Sequence, residues 1–204
     1  MQWTIAELIN HPKEFNKVRE EIKSVAGARL VEESDIRSLP YLRAVVKETL
    51  RLYPPGPIVP RECCQSCIIK GFDVAQKTMV IVNLYAIMRD PALWDNPNEF
   101  RPERFLVSSK EQDNLDFNQN KTEEQNFSFI PFGGGRKSCP GSTLALNMMH
   151  TTIATMVQCF DWKFAGEGDN AKINMQVGGG FSLPMANPLM CLPVIHFNPF
   201  VSSR

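Results

Sequence analysis

One cysteine closes the run Phe132-Gly133-Gly134-Gly135-Arg136-Lys137-Ser138-Cys139-Pro140-Gly141, directly before a stretch of helical periodicity. The first N–H groups of a helix have no partner and carry partial positive charge. A thiolate placed there has a lowered pKa and serves as a nucleophile or metal ligand. The glycines let backbone approach a flat ligand without a Cβ in the way. Arg136 and Lys137 set cations beside the thiolate, suited to carboxylates. A cofactor whose metal accepts soft ligands and whose rim carries carboxylates uses all of these features. Haem has both: its iron takes an axial Cys thiolate, and its propionates need basic partners. A glycine-rich loop before a helix also cradles phosphate, but the phosphate-loop pattern of strand and Gly-Lys-Ser/Thr is not met. A lone cysteine is commonly a small buried hydrophobe. That reading leaves the aromatic, the glycines and the cations at fixed offsets without a purpose.

A second constellation is Glu48-Thr49-Leu50-Arg51. Residues three apart share a helix face, so Glu48 and Arg51 can pair. Most such pairs are solvated and contribute little. The surrounding helix is apolar around much of its circumference, which permits burial, and a buried pair needs further hydrogen-bond partners. Arg104, in Phe100-Arg101-Pro102-Glu103-Arg104-Phe105, is the candidate third member.

Other reactive side chains carry blander readings. Cys63-Cys64-x-x-Cys67 gathers three thiols, but zinc wants four ligands and no second Cys/His pair has suitable spacing. Surface or strand-edge thiols are the expectation there. His11, His150 and His196 are isolated, and His150 reads as a packed mid-helix histidine. Met148, Met149 and Met156 read as core.

The elements that must position these residues follow from periodicity. Gln2 to Gly27 is helical, with Ile5, Leu8 and Ile9 on one face, Pro12 as punctuation, and Phe15, Val18, Ile22 and Val25 recurring at spacings of three and four. Gly27 is the stop. Glu32 to Ser38 is a polar connection with a short helical turn. Pro40 opens a helix running through Leu42, Val45, Val46, Leu50 and Tyr53, which Pro54-Pro55-Gly56-Pro57 ends. Ile58–Pro60, Cys67–Ile69 and Thr78–Leu84 read as strands, with Lys70-Gly71 and Gln76-Lys77 near turns. Asp90 to Phe105 is irregular but packed, and Ser108 to Asn126 is an exposed polar loop. Ser142 to Phe160 is helical. The tail from Asp161 to Pro199 has short strands and a hairpin at Gly178-Gly179-Gly180. The fold class is mainly α with a small β region (α+β).

Composition excludes several functions. The 204 residues carry 22 Lys+Arg against 22 Asp+Glu, with 43% hydrophobic residues. That is enough chain for a sizeable core, and a neutral balance argues against a nucleic-acid partner. The longest mostly apolar stretch, Met79 to Met88, is interrupted by Asn83 and is too short to span a bilayer. The first ten residues lack the basic and apolar regions of a signal peptide, and the six cysteines are expected to be reduced thiols.

Three motifs in order carry a family resemblance: Glu48-x-x-Arg51, the Pro102-Glu103-Arg104-Phe105 block, and the Cys139 loop. Arg51 and Arg104 lie 53 positions apart, and Arg104 and Cys139 lie 35 apart. The chain, from Gln2 to Pro199, resembles the C-terminal half of a cytochrome P450, a haem-thiolate monooxygenase. Arg89-Asp90-Pro91, Trp94, Gln158-Cys159-Phe160-Asp161, Ala186-Asn187-Pro188 and Asn198-Pro199-Phe200 resemble plant microsomal members, flavonoid-modifying enzymes nearest among them.

The resemblance implies roles. Cys139 is the proximal ligand of haem b iron, and Phe132 the aromatic that shields its sulfur. Gly135 is the tight-turn glycine and Gly141 the one that begins the helix. Arg61 is a propionate partner on the strand after Arg51, with Arg136 and Lys137 beside the thiolate. Glu48, Arg51 and Arg104 form the buried triad behind the haem. Lys137 departs from the pattern, which commonly has Arg two positions before the thiolate; lysine binds a propionate without the bidentate fork. Ala75-Gln76, where many relatives carry proline, is a minor departure.

Also implied are an NADPH-cytochrome reductase docking on the Cys139 side, a small apolar or phenolic substrate touched by Ile58, Val59 and Gly180-Phe181-Ser182, and the cytoplasmic face of the endoplasmic reticulum membrane. Gln2-Trp3 to Glu7 resembles the stretch just after the family's acid–alcohol pair. The expectation is therefore residues 1–204 as a partial domain without that distal pair, most of the substrate pocket or the N-terminal anchor. Two functions compete: a haem-binding oxidoreductase of monooxygenase type, and a truncated haem-binding remnant without independent catalysis. A Cys-rich interaction module, the third reading, ignores the three ordered motifs.

Overall fold

The computed structural model describes residues 1–106, 127–164 and 172–199. Pro12 divides the N-terminal periodic stretch in two. α1 (Gln2–Asn10) ends at His11, and α2 (Pro12–Ala26) restarts with proline in its first turn, where the missing N–H costs nothing. Phe15, Val18, Ile22 and Ala26 form the buried stripe of α2, with Val25 at its margin. Gly27 ends the helix at φ 62°, its N–H on the Lys23 carbonyl, a backbone conformation that only glycine adopts cheaply.

The polar connection forms a 3-10 turn over Glu33–Ser38, held by reciprocal capping between Glu32 and Asp35. Arg29 grips the Asp35 carboxylate with two N–H groups at 2.6 Å, which brings that carboxyl down to about 2. α3 (Pro40–Leu52) follows. Its first amides are capped from outside: the Glu21 carboxylate on α2 accepts from the N–H groups of Tyr41 and Leu42 at 2.7 and 2.9 Å. From Tyr41 to Leu52 every residue of α3 but Lys47 is buried.

Past the proline cluster the period becomes two. β1 (Ile58–Glu62) pairs antiparallel with β4 (Met79–Asn83), setting Arg61 opposite Val80. Between them β2 (Cys67–Ile69) and β3 (Phe72–Val74) form a hairpin that turns through Lys70 and Gly71, both at positive φ. β1 runs two residues beyond its expected end, and β3 has no counterpart among the expected strands: three residues centred on Asp73 are too short to show alternation. Leu84, expected to end a strand, instead begins the short α4 (Leu84–Ile87), because Asn83 accepts from the Ala86 N–H at 2.9 Å and caps it.

α5 (Ser142–Cys159) joins the main core through Leu146, Ile153, Ala154 and Val157. Arg19 of α2 satisfies its C-terminal end by donating to the Val157 and Phe160 carbonyls and pairing with Asp161. The Met148–Met149 pair, expected in the core, divides: Met149 packs on the core and Met148 is exposed. Successive residues on a helix point about 100° apart, so both cannot face inward. Phe160 leaves the helix to start β5 (Phe160–Phe164), antiparallel to β6 (Cys191–Ile195). The glycine turn of the tail is closed by Gly178 N–H to Pro184 and Ala186 N–H to Gln176, with a single bridge, Val177 to Met185. Trp3 ties it to the helices, donating to the Leu183 carbonyl at 2.7 Å and stacking on Tyr53 with centroids 4.0 Å apart.

The described residues thus combine helices with three two-stranded sheets, in the α+β class that periodicity predicts. None of their helices is long and apolar enough to cross a membrane. The expected exposed loop over 108–126 lies outside the described residues.

His150 is 95% buried, and neither ring nitrogen has a hydrogen-bond partner. Burial, with Arg43 and Lys47 nearby, pushes its imidazole down to about 4 from the ordinary 6.5. Between those values the unfolded chain binds a proton that the folded chain refuses, so stability falls as pH drops through that window. Replacing His150 by Leu is expected to flatten the dependence of Tm on pH between 6.5 and 4, checked by calorimetry on both proteins.

Candidate functional site

Glu48 and Arg51 meet on α3 with no side-chain exposure at all. The two glutamate oxygens accept from Arg51 Nε at 2.7 Å and Nη2 at 2.9 Å, the paired geometry a guanidinium fork favours. The Oε1 atom also accepts from Arg104 Nε at 3.0 Å and from the Arg101 backbone N–H at 2.9 Å. Arg51 directs its remaining donors to the carbonyls of Met88, Pro97 and Glu99. Each of the five N–H groups of a guanidinium therefore has an acceptor, which is what burial of the charge demands. Arg104 adds bonds to the carbonyls of Asp95 and Asn96. Between α4 and Phe105 the chain runs through turns into a 3-10 turn at Pro102–Phe105, and the carbonyls of Met88, Asp95, Asn96, Pro97 and Glu99 accept from these two arginines.

An aromatic chain joins this network to the cysteine loop. Both guanidinium groups lie over the Trp94 ring, at 5.0 Å for Arg51 and 6.0 Å for Arg104. Trp94 packs on Phe105, and Phe105 lies 4.8 Å from Phe129, at the entry to the loop. Phe129 and Phe132 both rest on the main core, so the base of the loop is anchored while its tip stays open.

The loop turns through Gly133 and Gly135, at φ 75° and 71°, conformations that side chains rarely adopt. The Gly133 N–H meets the Ile130 carbonyl at 2.9 Å, and the Cys139 N–H returns to the Phe132 carbonyl at 2.9 Å. A 3-10 turn at Gly135–Lys137 presents Arg136 and Lys137 to solvent. Gly141 is the N-cap of α5, and a Cβ there would stand 3.9 Å from Cys139 Sγ. Cys139 is exposed, and among the described residues its thiol has no hydrogen-bond partner.

β1 delivers Arg61 to the same place. Its Nη2 donates to the Lys137 carbonyl at 3.3 Å and stands 3.9 Å from where a Gly133 Cβ would be. Among the described residues no carboxylate pairs with Arg61, Arg136 or Lys137. The donor set is thus one accessible thiol, a side-chain-free wall and three available cations. That fits the cofactor chemistry the sequence indicates: a soft ligand for haem iron, room for a flat ring, and partners for its carboxylates.

The expected site residues therefore fall into two assemblies. Phe132, Gly135, Arg136, Lys137, Cys139, Gly141 and Arg61 come together at the loop, and Glu48, Arg51 and Arg104 beneath it. Trp94 as the floor under both arginines, and the Arg101 N–H as a fourth donor to Glu48, were not foreseen. Of the residues expected to touch substrate, Ile58 and Val59 are half-buried on β1, the strand that carries Arg61, and Phe181 is exposed on the tail turn. Among the described residues no group of three or more His, Cys, Asp and Glu side chains is placed to hold a metal ion.

The family model described as cytochrome P450 matches residues 1–192. Cytochrome P450 93A2 of Glycine max is 48% identical over 201 residues, 98% of this chain and 38% of the relative. The 3,9-dihydroxypterocarpan 6A-monooxygenase of Glycine max is 47% identical over the same shares of each. Cytochrome P450 705A5 of Arabidopsis thaliana is 51% identical over 195 residues, 95% of this chain and 36% of the relative. A zebrafish cytochrome P450 solved with abiraterone superposes with a TM-score of 0.80 at 31% identity, covering 96% of this chain and 42% of that one. The chain spans well under half the length of the relatives it matches.

Proposed function

This chain belongs to the cytochrome P450 family, and on that premise we propose that residues 1–204 are the haem-ligating, partial domain of a plant haem-thiolate monooxygenase. The observation that carries the proposal is the exposed Cys139 thiol, without a hydrogen-bond partner among the described residues, in a glycine loop with Arg61 brought alongside from another element. In this reading Cys139 ligates the iron of haem b. Phe132 shields the sulfur from water, and Gly135 and Gly141 keep the wall flat and the turn tight. Arg61, Arg136 and Lys137 hold the propionates. Lys137 serves as a point charge, and the fork it lacks is supplied by Arg61. Glu48, Arg51 and Arg104 are positioning residues that fix the loop's base through Trp94, Phe105 and Phe129.

Bound haem supplies the insertion of one oxygen atom from O2 into an organic substrate, the protein contributing orientation, electrostatics and exclusion of water. Electrons come from an NADPH-cytochrome reductase that docks on the loop side, where Arg136 and Lys137 add positive charge. The substrate is small and apolar or phenolic; the relative named for a dihydroxypterocarpan supports the phenolic class. The site of action is the cytoplasmic face of the endoplasmic reticulum membrane. The test supplies the haem-loaded chain with NADPH, reductase and isotope-labelled O2 over a panel of phenolic and terpenoid substrates. Labelled oxygen in one product is the expected result. Haem uptake with no product across the panel would favour a haem-binding chain without catalysis of its own, and absence of haem uptake would overturn both.

A further inference from the structure

The three thiols between β1 and β2 are not used by the haem site. Cys63 follows β1, its backbone pinned to the far side of the sheet by N–H to the Thr78 carbonyl at 2.9 Å and by its own carbonyl accepting from Lys77 at 2.8 Å. Cys67 opens β2, paired with Val74. Gln76 braces the loop between them: its backbone N–H donates to Ser66 Oγ and its side-chain amide to the Cys64 carbonyl. So braced, the loop holds the sulfurs of Cys63 and Cys67 3.6 Å apart, in S–H···S contact. Cys67 is exposed and Cys63 half-buried, whereas Cys159 is shielded in the core. Thiolate character and exposure direct oxidation to a cysteine, and a resolving thiol beside it captures the product. Exposure and the neighbouring thiol are present here, while the contact with Cys63 pushes the Cys67 thiol up.

We propose that Cys63 and Cys67 are a peroxide-sensitive dithiol that closes to an intrachain disulfide. A sulfur–sulfur bond needs about 2.05 Å, so the pair must close by about 1.5 Å. Cys67 is exposed and Cys63 half-buried, its thiol donating to the Gln65 carbonyl at 2.9 Å. Closure breaks that bond and turns the two side chains while the paired strands stay in register. Hydrogen peroxide oxidises the first thiol to a sulfenic acid, releasing one water. The second thiol attacks that sulfur, the S–S bond forms, and a second water leaves. The two thiols together give up two electrons, which the peroxide accepts, and a dithiol reductant returns them. Cys64 is the internal control: it is exposed like Cys67, next in sequence to Cys63, and without a sulfur–sulfur hydrogen bond among the described residues.

The experiment treats the reduced full chain with hydrogen peroxide and blocks the remaining thiols with N-ethylmaleimide. Dithiothreitol then reopens disulfides, and iodoacetamide labels the thiols it frees. One tryptic peptide, from Glu62 to Lys70, carries all three cysteines. The expected result is iodoacetamide on Cys63 and Cys67 and maleimide on Cys64. C64S leaves that pattern unchanged, and C67S loses the recoverable label at Cys63. Iodoacetamide on Cys64 in place of Cys63, label recovered only from covalent dimers, or maleimide on all three after peroxide would each overturn the proposal.

Discussion

Replacing Glu48 by Ala is expected to destabilise the chain by about 3–5 kcal/mol, the loss typical when one partner of a buried ion pair is removed. The carboxylate accepts four hydrogen bonds and is fully buried with Arg51. Without it Arg51 keeps its bonds to three carbonyls but remains a charge in the core with no counter-ion, and Arg104 loses its inward anchor. Stabilities of natural domains are only about 5–15 kcal/mol, so the variant is expected to lose much of its folded population near 37 °C. Glu48→Gln keeps the shape and one acceptor but points an amide N–H at a guanidinium, so it also destabilises. Arg101→Ala is the contrast. Only its backbone N–H enters the network, and its side-chain pair with Asp95 is exposed, a kind of contact that contributes little. Urea unfolding of the three variants checks the order; equal midpoints for Glu48→Ala and wild type would contradict it.

The second large effect is chemical rather than structural. Cys139→Ser is expected to abolish thiolate ligation of haem while changing stability by no more than about 0.5 kcal/mol. The side chain is exposed and its sulfur forms no hydrogen bond among the described residues. The backbone bond from residue 139 to the Phe132 carbonyl survives the change. A serine hydroxyl is hard and stays protonated, so it does not replace a soft thiolate on iron. Loss of the ligand with an unchanged melting curve separates this residue from Glu48, whose loss acts through the fold.

Much of this architecture was legible because it rests on side-chain periodicity and on residues that few alternatives can replace. The stripe of α2, the proline starts of α2 and α3, and the glycine stop at Gly27 all follow from local physics. The Glu48–Arg51–Arg104 network was legible through motif order, since the acid and two bases must be specific residues. Its wiring was not. Arg51 is satisfied by carbonyls of Met88, Pro97 and Glu99, and a carbonyl is the same whatever side chain follows it. Trp94 offers a ring face to two cations from across the fold, a contact that leaves no local pattern. The bond from Arg61 to the Lys137 carbonyl depends on how β1 approaches the loop, which spacing alone does not encode. β3 and the strand-to-helix switch at Leu84 failed for a different reason: elements of three or four residues are decided by one cap or one turn. Met148 shows the limit of composition, because an apolar pair on a helix faces two ways.

The most direct test of the central claim, that Cys139 gives its thiolate to haem iron, is the carbon monoxide difference spectrum of the reduced, haem-loaded chain beside its Cys139→Ser variant. The predicted result is a red-shifted, thiolate-type Soret band in the wild type that is absent from the variant. An unshifted band in the wild type, or a red-shifted band that persists in Cys139→Ser, would contradict it.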